Sequence, residues 1–205
     1  MELTSLTPEH ARQAAEIHAE GQPGTFLTRL GLDFLTVLYA AIPESPWTFG
    51  RVVMDGEIMA GVGVVAVDTD EFFREVKRRH WPRLAWSVAR QVLRDPSLVS
   101  FIIQSLRYPS KLAPAPDEAE VMFLGARNAY RRQGIGPKLL LNVLNEAHRR
   151  GCSSATAIID RRNRPIRWMI ASLPGIHVDR ELEMYGRTML VYRVPLPLDE
   201  AALPE

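Results

Sequence analysis

One cysteine, Cys152, is the whole thiol complement of this 205-residue sequence. That excludes an intramolecular disulfide and any zinc site built from several cysteines, and it suits a reducing compartment. Five histidines are scattered without the H-x-x-x-H spacing of a metal site, so no metal is expected. Long hydrophobic runs are also missing, and none approaches the ~20 residues needed to span a bilayer. The opening MELTSLTPEHARQ has no cationic stretch followed by an apolar core, which argues against a signal peptide. The expected location is the cytoplasm. Nor is there an excess of one charge sign, with 25 Lys and Arg against 24 Asp and Glu. The balance is uneven along the chain, however. Between Arg127 and Arg167, nine arginines and Lys138 face only Glu146 and Asp160. Such a stretch can meet phosphates of a small ligand or of a nucleic acid. Most of these ten are read as solvated helix-face side chains, and no nucleic-acid partner is expected.

What is present is a mixed α/β pattern with ordinary apolar content. Thr7-Pro8 caps a short helix running to about Glu20, and Leu27 to Ala41 reads as a second helix weakened by Gly31. The period then changes. Trp47 to Met54, Asp55-Gly56 and Glu57 to Val67 form a hairpin signal, and the small residues of MAGVGVVA mark a strand closely approached by its neighbours. Residues 68–112 contain no convincing strand. They read as a helical insertion of three pieces (around Phe72–His80, Leu84–Leu93 and Leu98–Leu106) with Pro82, Pro96 and Pro109 as interruptions. A buried strand, Ala119 to Ala126, is followed by a helix from Gly134 to about Arg150, with Leu140, Val143, Leu144 and Ala147 as its stripe. A strand at Ala155–Ile159, a short helix at Ile166–Ser172 and a closing strand at Thr188–Val194 complete one domain, with a loose tail at about 196–205.

The chemistry concentrates in Tyr130-Arg131-Arg132-Gln133-Gly134-Ile135-Gly136, between a strand and a long helix. The first-turn N–H groups of a helix lack intrahelical partners, glycine lets a ligand come close, and dipole and guanidinium both favour an anion. Arg131, Arg132, Gln133, Gly134, Ile135 and Gly136 are therefore candidates for holding phosphate or pyrophosphate, with Lys138, half a turn into the helix, as a further candidate. The P-loop pattern G-x-x-x-x-G-K-[ST] is absent, and Leu139 stands where a dinucleotide fingerprint needs its third glycine.

The segment FLGARNAYRRQGIGPKLLLNVLNEAHRRGCSSATAIIDRRNRPI resembles the acyl-CoA-binding core of the GNAT superfamily of N-acetyltransferases. Arg131, Gly134 and Gly136 match its Arg or Gln, two residues, Gly, one residue, Gly or Ala. The resemblance implies a GNAT-like mixed β-sheet flanked by helices, and acetyl-CoA or another acyl-CoA as co-substrate. It places the pantetheine arm against backbone groups of Leu124, Gly125 and Ala126, with Asn163 near the thioester. The N-terminal stretch GTFLTRLGLDFLTVLY and DGEIMAGVGVV is similar to a bacterial branch of the same superfamily.

The pattern breaks after Asn163. Many members continue to a tyrosine that protonates the leaving thiolate, but here the two ways of counting reach Ile170 or Ala171, which have no proton to give. Tyr185 and His177 are the available substitutes, and Tyr185 is the chosen candidate. On the acceptor side, Glu120 opens the central strand and is the candidate base for an ammonium substrate; Glu118 lies on the same face. A backbone N–H near Gly125 or Ala126 is the candidate oxyanion donor. Cys152 follows a helix C-terminus, where a thiolate is disfavoured, and reads as structural.

An amine acceptor would enter opposite the cofactor, near Phe26, Leu27, Trp47 and Phe49. The 68–112 insertion reads first as an amphipathic cap, with self-association into a homodimer or contact with an anionic membrane surface as alternatives. The expected activity is transfer of an acetyl group from acetyl-CoA to the amine of a small molecule or amino acid. A longer-chain N- or O-acyltransferase and a non-catalytic acyl-CoA-binding protein are the rival readings.

Overall fold

The computed structural model describes residues 1–107, 117–173, 175–184 and 186–198. Seven strands make one mixed sheet in the order β1-β2-β3-β4-β5-β7-β6, an α/β architecture. β1 (Glu2–Ser5), β2 (Thr48–Asp55), β3 (Ile58–Ala66) and β4 (Glu118–Ala126) run antiparallel to one another. β4 and β5 (Ser154–Asp160) are parallel, and β7 (Arg187–Pro195) and β6 (His177–Met184) add two further antiparallel pairings. A parallel pair requires a crossover, and helix α6 (Ile135–Arg149) is part of it.

Two apolar clusters sit on opposite faces of the sheet. On one, α1 (Ala11–Gly21), α3 (Leu32–Ala41) and the beginning of α4 (Thr69–Arg94) pack over β2, β3 and Phe123 of β4. On the other, α6 and α7 (Arg164–Ala171) pack over β3, β4, β5 and β7. Ile135, Leu139, Leu140, Val143, Leu144 and Ala147 are the buried stripe of α6, each large aliphatic contributing about 1.5–3 kcal/mol by burial. Gly61 and Gly63 of β3 let this helix sit close. A Cβ on Gly61 would stand 2.6 Å from Ile135 Cγ2 and 3.0 Å from Leu139 Cδ1, and one on Gly63 would stand 3.2 Å from Val143 Cγ1.

Several expected boundaries move for identifiable reasons. The helix expected over 27–41 is divided at Gly31, whose φ of 96° is not helical, into α2 (Phe26–Arg29) and α3. Asp55 pairs with Ile58, so the hairpin turn is Gly56-Glu57, with the positive φ at Gly56. Pro82 does not interrupt α4, which runs unbroken for 26 residues. Proline deprives the carbonyl of Arg78 of its partner, but Pro82 lies on the exposed side of the helix, where solvent can take that place. β1 and β6 have no counterpart in the sequence reading. β1 is four residues long, and β6 is an edge strand exposed along most of its length, so HVDRELEM lacks apolar alternation.

The third helix expected in 68–112 is α5 (Leu98–Arg107), while residues 108–112 lie outside the described residues. Of the expected tail, Leu196 N donates to Ser153 O and Leu198 N to Asn145 Oδ1, both at 3.0 Å, with Leu198 buried. Residues 199–205 lie outside the described ones.

Candidate active site

The parallel ladder between β4 and β5 runs only from Glu118↔Ser154 to Val121↔Ala157, although β4 continues to Ala126 and β5 to Asp160. A bulge marks the parting. On β3, Val64 pairs with Phe123 and Val65 with Val121, which leaves Met122 as the extra residue. An extra residue bends and twists its strand, and the two strands separate beyond it. Arg127 N donates to Ala60 O on β3 at 2.9 Å. Backbone direction alternates along a strand, so Gly125 turns its peptide groups to β3, whereas those of Leu124 and Ala126 face the gap. Gly125 therefore drops out of the expected trio as a hydrogen-bonding group and as an oxyanion donor. Its lack of a side chain is needed for packing, since a Cβ there would stand 2.7 Å from the Phe123 ring. The Leu124 side chain is buried beneath α6, leaving its backbone to serve the gap.

At the mouth of this gap the chain makes a single 3₁₀ turn, Asn128–Tyr130, and enters the glycine loop. Arg132 has φ 61° and Gly134 φ 72°. Arg132 is the one non-glycine residue with positive φ among the described residues, a conformation that is uncommon outside glycine, asparagine and aspartate. Successive peptide groups that alternate hand in this way form a concave set of N–H donors suited to an anion. α6 follows directly, with Lys138 N returning to Gly134 O at 3.2 Å. Pro137 has no N–H, so Ile135 and Gly136 supply the free donors of its first turn. The Ile135 side chain is buried in the core and cannot touch a ligand there. A Cβ on Gly136 would lie 3.4 Å from Met169 Sδ, so this glycine also brings α7 close to the α6 terminus.

The arginine-rich stretch separates into two groups. Arg127 is paired with Glu16 and Glu20, each at 3.3 Å, Arg149 and Arg150 with Glu146, and Arg162 with Asp160. Arg131, Arg132 and Lys138 are exposed, and among the described residues none of the three has an acidic partner. Three cations without an acidic partner thus lie at the loop where the N–H donors converge, while Arg164 and Arg167, also without one among the described residues, stand on α7. Gln133 is exposed beside them, its Nε2 donating to Ala129 O at 3.4 Å. Across the gap, Asn163 caps α7 through its backbone position, with its N–H on Asp160 O at 2.8 Å and its half-buried side chain making no capping bond. Strand edge, donor loop and Asn163 together suit an elongated ligand with an amide-bearing arm and an anionic end.

Comparison with known proteins agrees with that geometry. The sequence profile of the acetyltransferase (GNAT) family matches residues 39–167. The chain belongs to the GNAT acetyltransferase family. No curated protein matches the sequence. Among solved structures, yncA, an acetyltransferase of Salmonella typhimurium solved with its cofactor acetyl-CoA, is similar at TM-score 0.61 and 16% identity, over 100% of this chain and 98% of that one. The ribosomal-protein-S18-alanine N-acetyltransferase of Escherichia coli gives 0.60 and 13%, over 100% and 99%. An N-acetyltransferase of Staphylococcus aureus Mu50 gives 0.61 and 15%, over 95% and 100%. The family's reaction class, acyl transfer from coenzyme A thioesters, applies to this chain.

In this GNAT chain the face of β4 opposite α6 carries Glu120. The side chain is half-buried, and its Oε2 accepts from Thr69 Oγ1 at 2.6 Å. Burial raises its pKa from the ordinary glutamate value, the Thr69 bond lowers it in part, and the nearby Asp70 charge raises it again. A carboxyl group so placed takes up a proton more readily than one in water. Glu118, two residues away, is buried with Oε1 3.1 Å from Arg193 Nε, so its charge is already matched. Thr69 has no signal in sequence beyond a helix start, because its partner is 51 residues away.

A second cluster escaped the sequence reading. His18 of α1 stacks on Phe123 with ring centroids 4.4 Å apart, and its Nδ1 is hydrogen-bonded to Tyr39 of α3 at 3.0 Å. Burial lowers the His18 pKa to about 4 and pushes that of Tyr39 well up. This group braces the bulged strand on the face opposite α6.

Other candidates fall elsewhere. Ile170 is buried in the core and Ala171 is an exposed helix-end residue, so neither serves as an acid. Tyr185 lies outside the described residues. His177 is exposed on the edge strand β6. Phe49 belongs to the α6 side of the sheet, beneath the Arg150 guanidinium at 4.2 Å, and so leaves the acceptor wall. Cys152 is buried with its thiol pushed up chiefly by desolvation, which is the opposite of an activated nucleophile. Among the described residues no group of three or more His, Cys, Asp or Glu is placed to hold a metal ion, and no helix is long and apolar enough to cross a membrane.

Proposed function

We propose that the chain transfers an acetyl group from acetyl-CoA to the amine of a small molecule or amino acid by direct attack in a ternary complex. The observation that supports this best is the early end of the β4–β5 ladder, at Val121↔Ala157, immediately before a donor loop ringed by uncommitted cations. Arg131, Arg132 and Lys138, with the N–H groups of Gln133 to Gly136, hold the pyrophosphate. The backbone of Leu124 and Ala126 orders the pantetheine arm, and Asn163 closes the opposite side. The co-substrate supplies an acyl thioester. The amine forms a C–N bond to the acyl carbon and the C–S bond then breaks.

An amine is mostly cationic at neutral pH, so Glu120 accepts its proton directly or through one water, and its raised proton affinity suits that role. The Leu124 or Ala126 N–H facing the gap stabilises the oxyanion. Tyr185 is the proposed proton donor to the departing thiolate. Thiolate is a good leaving group, and such assistance is typically worth about 10²–10⁴-fold, so its effect falls on rate alone.

Mass spectrometry of ligands retained by the purified protein, followed by thiol release from acetyl-CoA across a panel of amines, tests this reading. Amine-dependent thiol release is expected, reduced in Tyr185→Phe with coenzyme A affinity intact. Saturable binding without release would favour the non-catalytic reading. Turnover only with long-chain thioesters would favour the longer-chain one.

A further inference from the structure

From Val76 to Arg94 the sequence contains six Lys and Arg and no Asp or Glu. All of this stretch lies in α4, whose other face packs on α3 through Phe72 and Val76. The outward face is not polar. Pro82, Trp86, Ala89 and Leu93, spaced by four, three and four residues, fall on one line of the helix and all are exposed, Trp86 at 72% and Leu93 at 85% of their full areas. The line is about 16 Å long at 1.5 Å per residue. Arg79, Arg83, Arg90 and Arg94 flank it on the side toward α3 by the same helical spacing, Arg90 and Arg94 lining a cleft with Leu30 to Asp33. Arg79 is held by Glu75 and Arg90 by Asp33. Among the described residues Arg83 and Arg94 have no acidic partner, nor do Lys77 and Arg78 near the start of the row. Trp81, 64% exposed, lies on the other flank, and Val99 and Ile103 of α5 expose further aliphatic surface.

A row of exposed indole and leucine is not what a solvated helix face carries, and exposed apolar surface of this kind marks an interaction site. We infer that the outer face of α4 is a docking surface for a bilayer bearing anionic headgroups. An apolar stripe with a parallel arginine row is the pattern of a helix lying in the membrane interface plane, where indole and leucine enter the acyl boundary and guanidinium groups meet phosphate. The aliphatic share separates this occupant from a nucleic acid, which would stack on indole but has no use for Leu93, Val99 or Ile103. The same face explains why α4 does not need to cap the acceptor side with these residues: they point away from the sheet, while only the first turn of α4 reaches Glu120 through Thr69.

The test is co-sedimentation of the full chain with vesicles of phosphatidylcholine alone and of phosphatidylcholine with phosphatidylglycerol, following tryptophan fluorescence. Binding to the anionic vesicles, with a blue shift and weakening in high salt, is expected. Trp86→Ser with Leu93→Ser should lower that binding at least tenfold, and Arg83→Glu with Arg94→Glu should abolish the preference for anionic lipid. All four positions are exposed, so both variants should keep the wild-type melting temperature and acetyl-CoA affinity. Absence of vesicle binding by the wild-type chain, or equal binding by both variants, would overturn the inference. So would a concentration-dependent dimer lost in the Trp86 and Leu93 variant without vesicle binding, which would make the face a self-association surface. Tight binding to single-stranded nucleic acid that depends on the arginines and not on Leu93 would also overturn it.

Discussion

Thr69 Oγ1 donates to Glu120 Oε2 at 2.6 Å, so the first residue of a 26-residue helix is tied to the central strand beside the gap. The bond stabilises the charged carboxylate, partly offsetting a burial that favours the protonated form. If Glu120 is the base, transfer needs it deprotonated, and the rate should rise with pH through its raised pKa. Thr69→Ala removes the offset, so the acid limb of kcat/KM should move to higher pH. Thr69→Ser should restore the wild-type profile. Glu120→Gln should lower kcat by about 10²-fold or more on the plateau above that pKa, with the gap narrowing down the acid limb and acetyl-CoA affinity kept. An acid limb unmoved by Thr69→Ala would detach Thr69 from the base.

Arg131→Glu replaces an uncommitted cation at the donor loop with an anion. Loss of a charge-assisted contact to phosphate, together with the new repulsion, should weaken acetyl-CoA binding by at least tenfold, measured by calorimetry. Arg127→Ala is the contrast. Arg127 is held by Glu16 and Glu20, so its loss should lower the melting temperature and leave affinity within about threefold. Equal affinity for wild type and Arg131→Glu would remove Arg131 from the phosphate site.

The comparison of these two arginines shows where sequence reading succeeds and where it stops. Local signals were enough for the turn at Gly134 and the buried stripe of α6, because both lie within one short segment whose pattern is governed by backbone conformation and helical period. Leu124, Gly125 and Ala126 were candidates through the family resemblance alone. Local signals could not separate Gly125 from its neighbours, since that depends on which peptide groups face β3, a consequence of the register Gly61↔Ala126 and the bulge at Met122. Nor could composition tell that Arg127 is spent on α1 while Arg131 is not. Ion pairs joining residues more than a hundred positions apart leave no trace in either segment. Edge strand β6 was invisible for another reason: exposed on both sides, it has no buried face to impose a period of two.

Gly61 carries the close approach of α6 to the sheet. A methyl group there would lie 2.6 Å from Ile135 Cγ2, 3.0 Å from Leu139 Cδ1 and 3.1 Å from the Gly125 carbonyl oxygen. Both side chains are fully or nearly fully buried, so neither has free space to retreat. Gly61→Ala should cost about 1–3 kcal/mol of stability, the usual range for overpacking, read by denaturant titration. Because Ile135 opens α6, the displacement should also weaken acetyl-CoA binding. A variant as stable as wild type would show that the helix is not seated on this glycine.

His18 makes a pH-dependent contribution whose sign is fixed by its environment. Its pKa in the folded chain is lowered to about 4 from 6.5, so between these values the unfolded chain binds the proton and the folded chain resists it. The stability associated with this group is fully present above about pH 6.5, falls as the pH drops toward 4 and is constant below that. A shift of this size corresponds to about 3 kcal/mol. Other groups titrate in the same range, so the useful quantity is the difference between wild type and His18→Phe, which keeps a ring against Phe123. His18→Phe leaves the buried Tyr39 hydroxyl without its partner, an offset of about 1–3 kcal/mol that does not vary with pH over this window. Unfolding free energies measured at intervals from pH 7 to pH 4 should therefore converge as acid is added, with the wild type losing more stability than the variant. Parallel curves would mean that His18 is protonated in the folded chain, and that the stack of His18 on Phe123 opens to water.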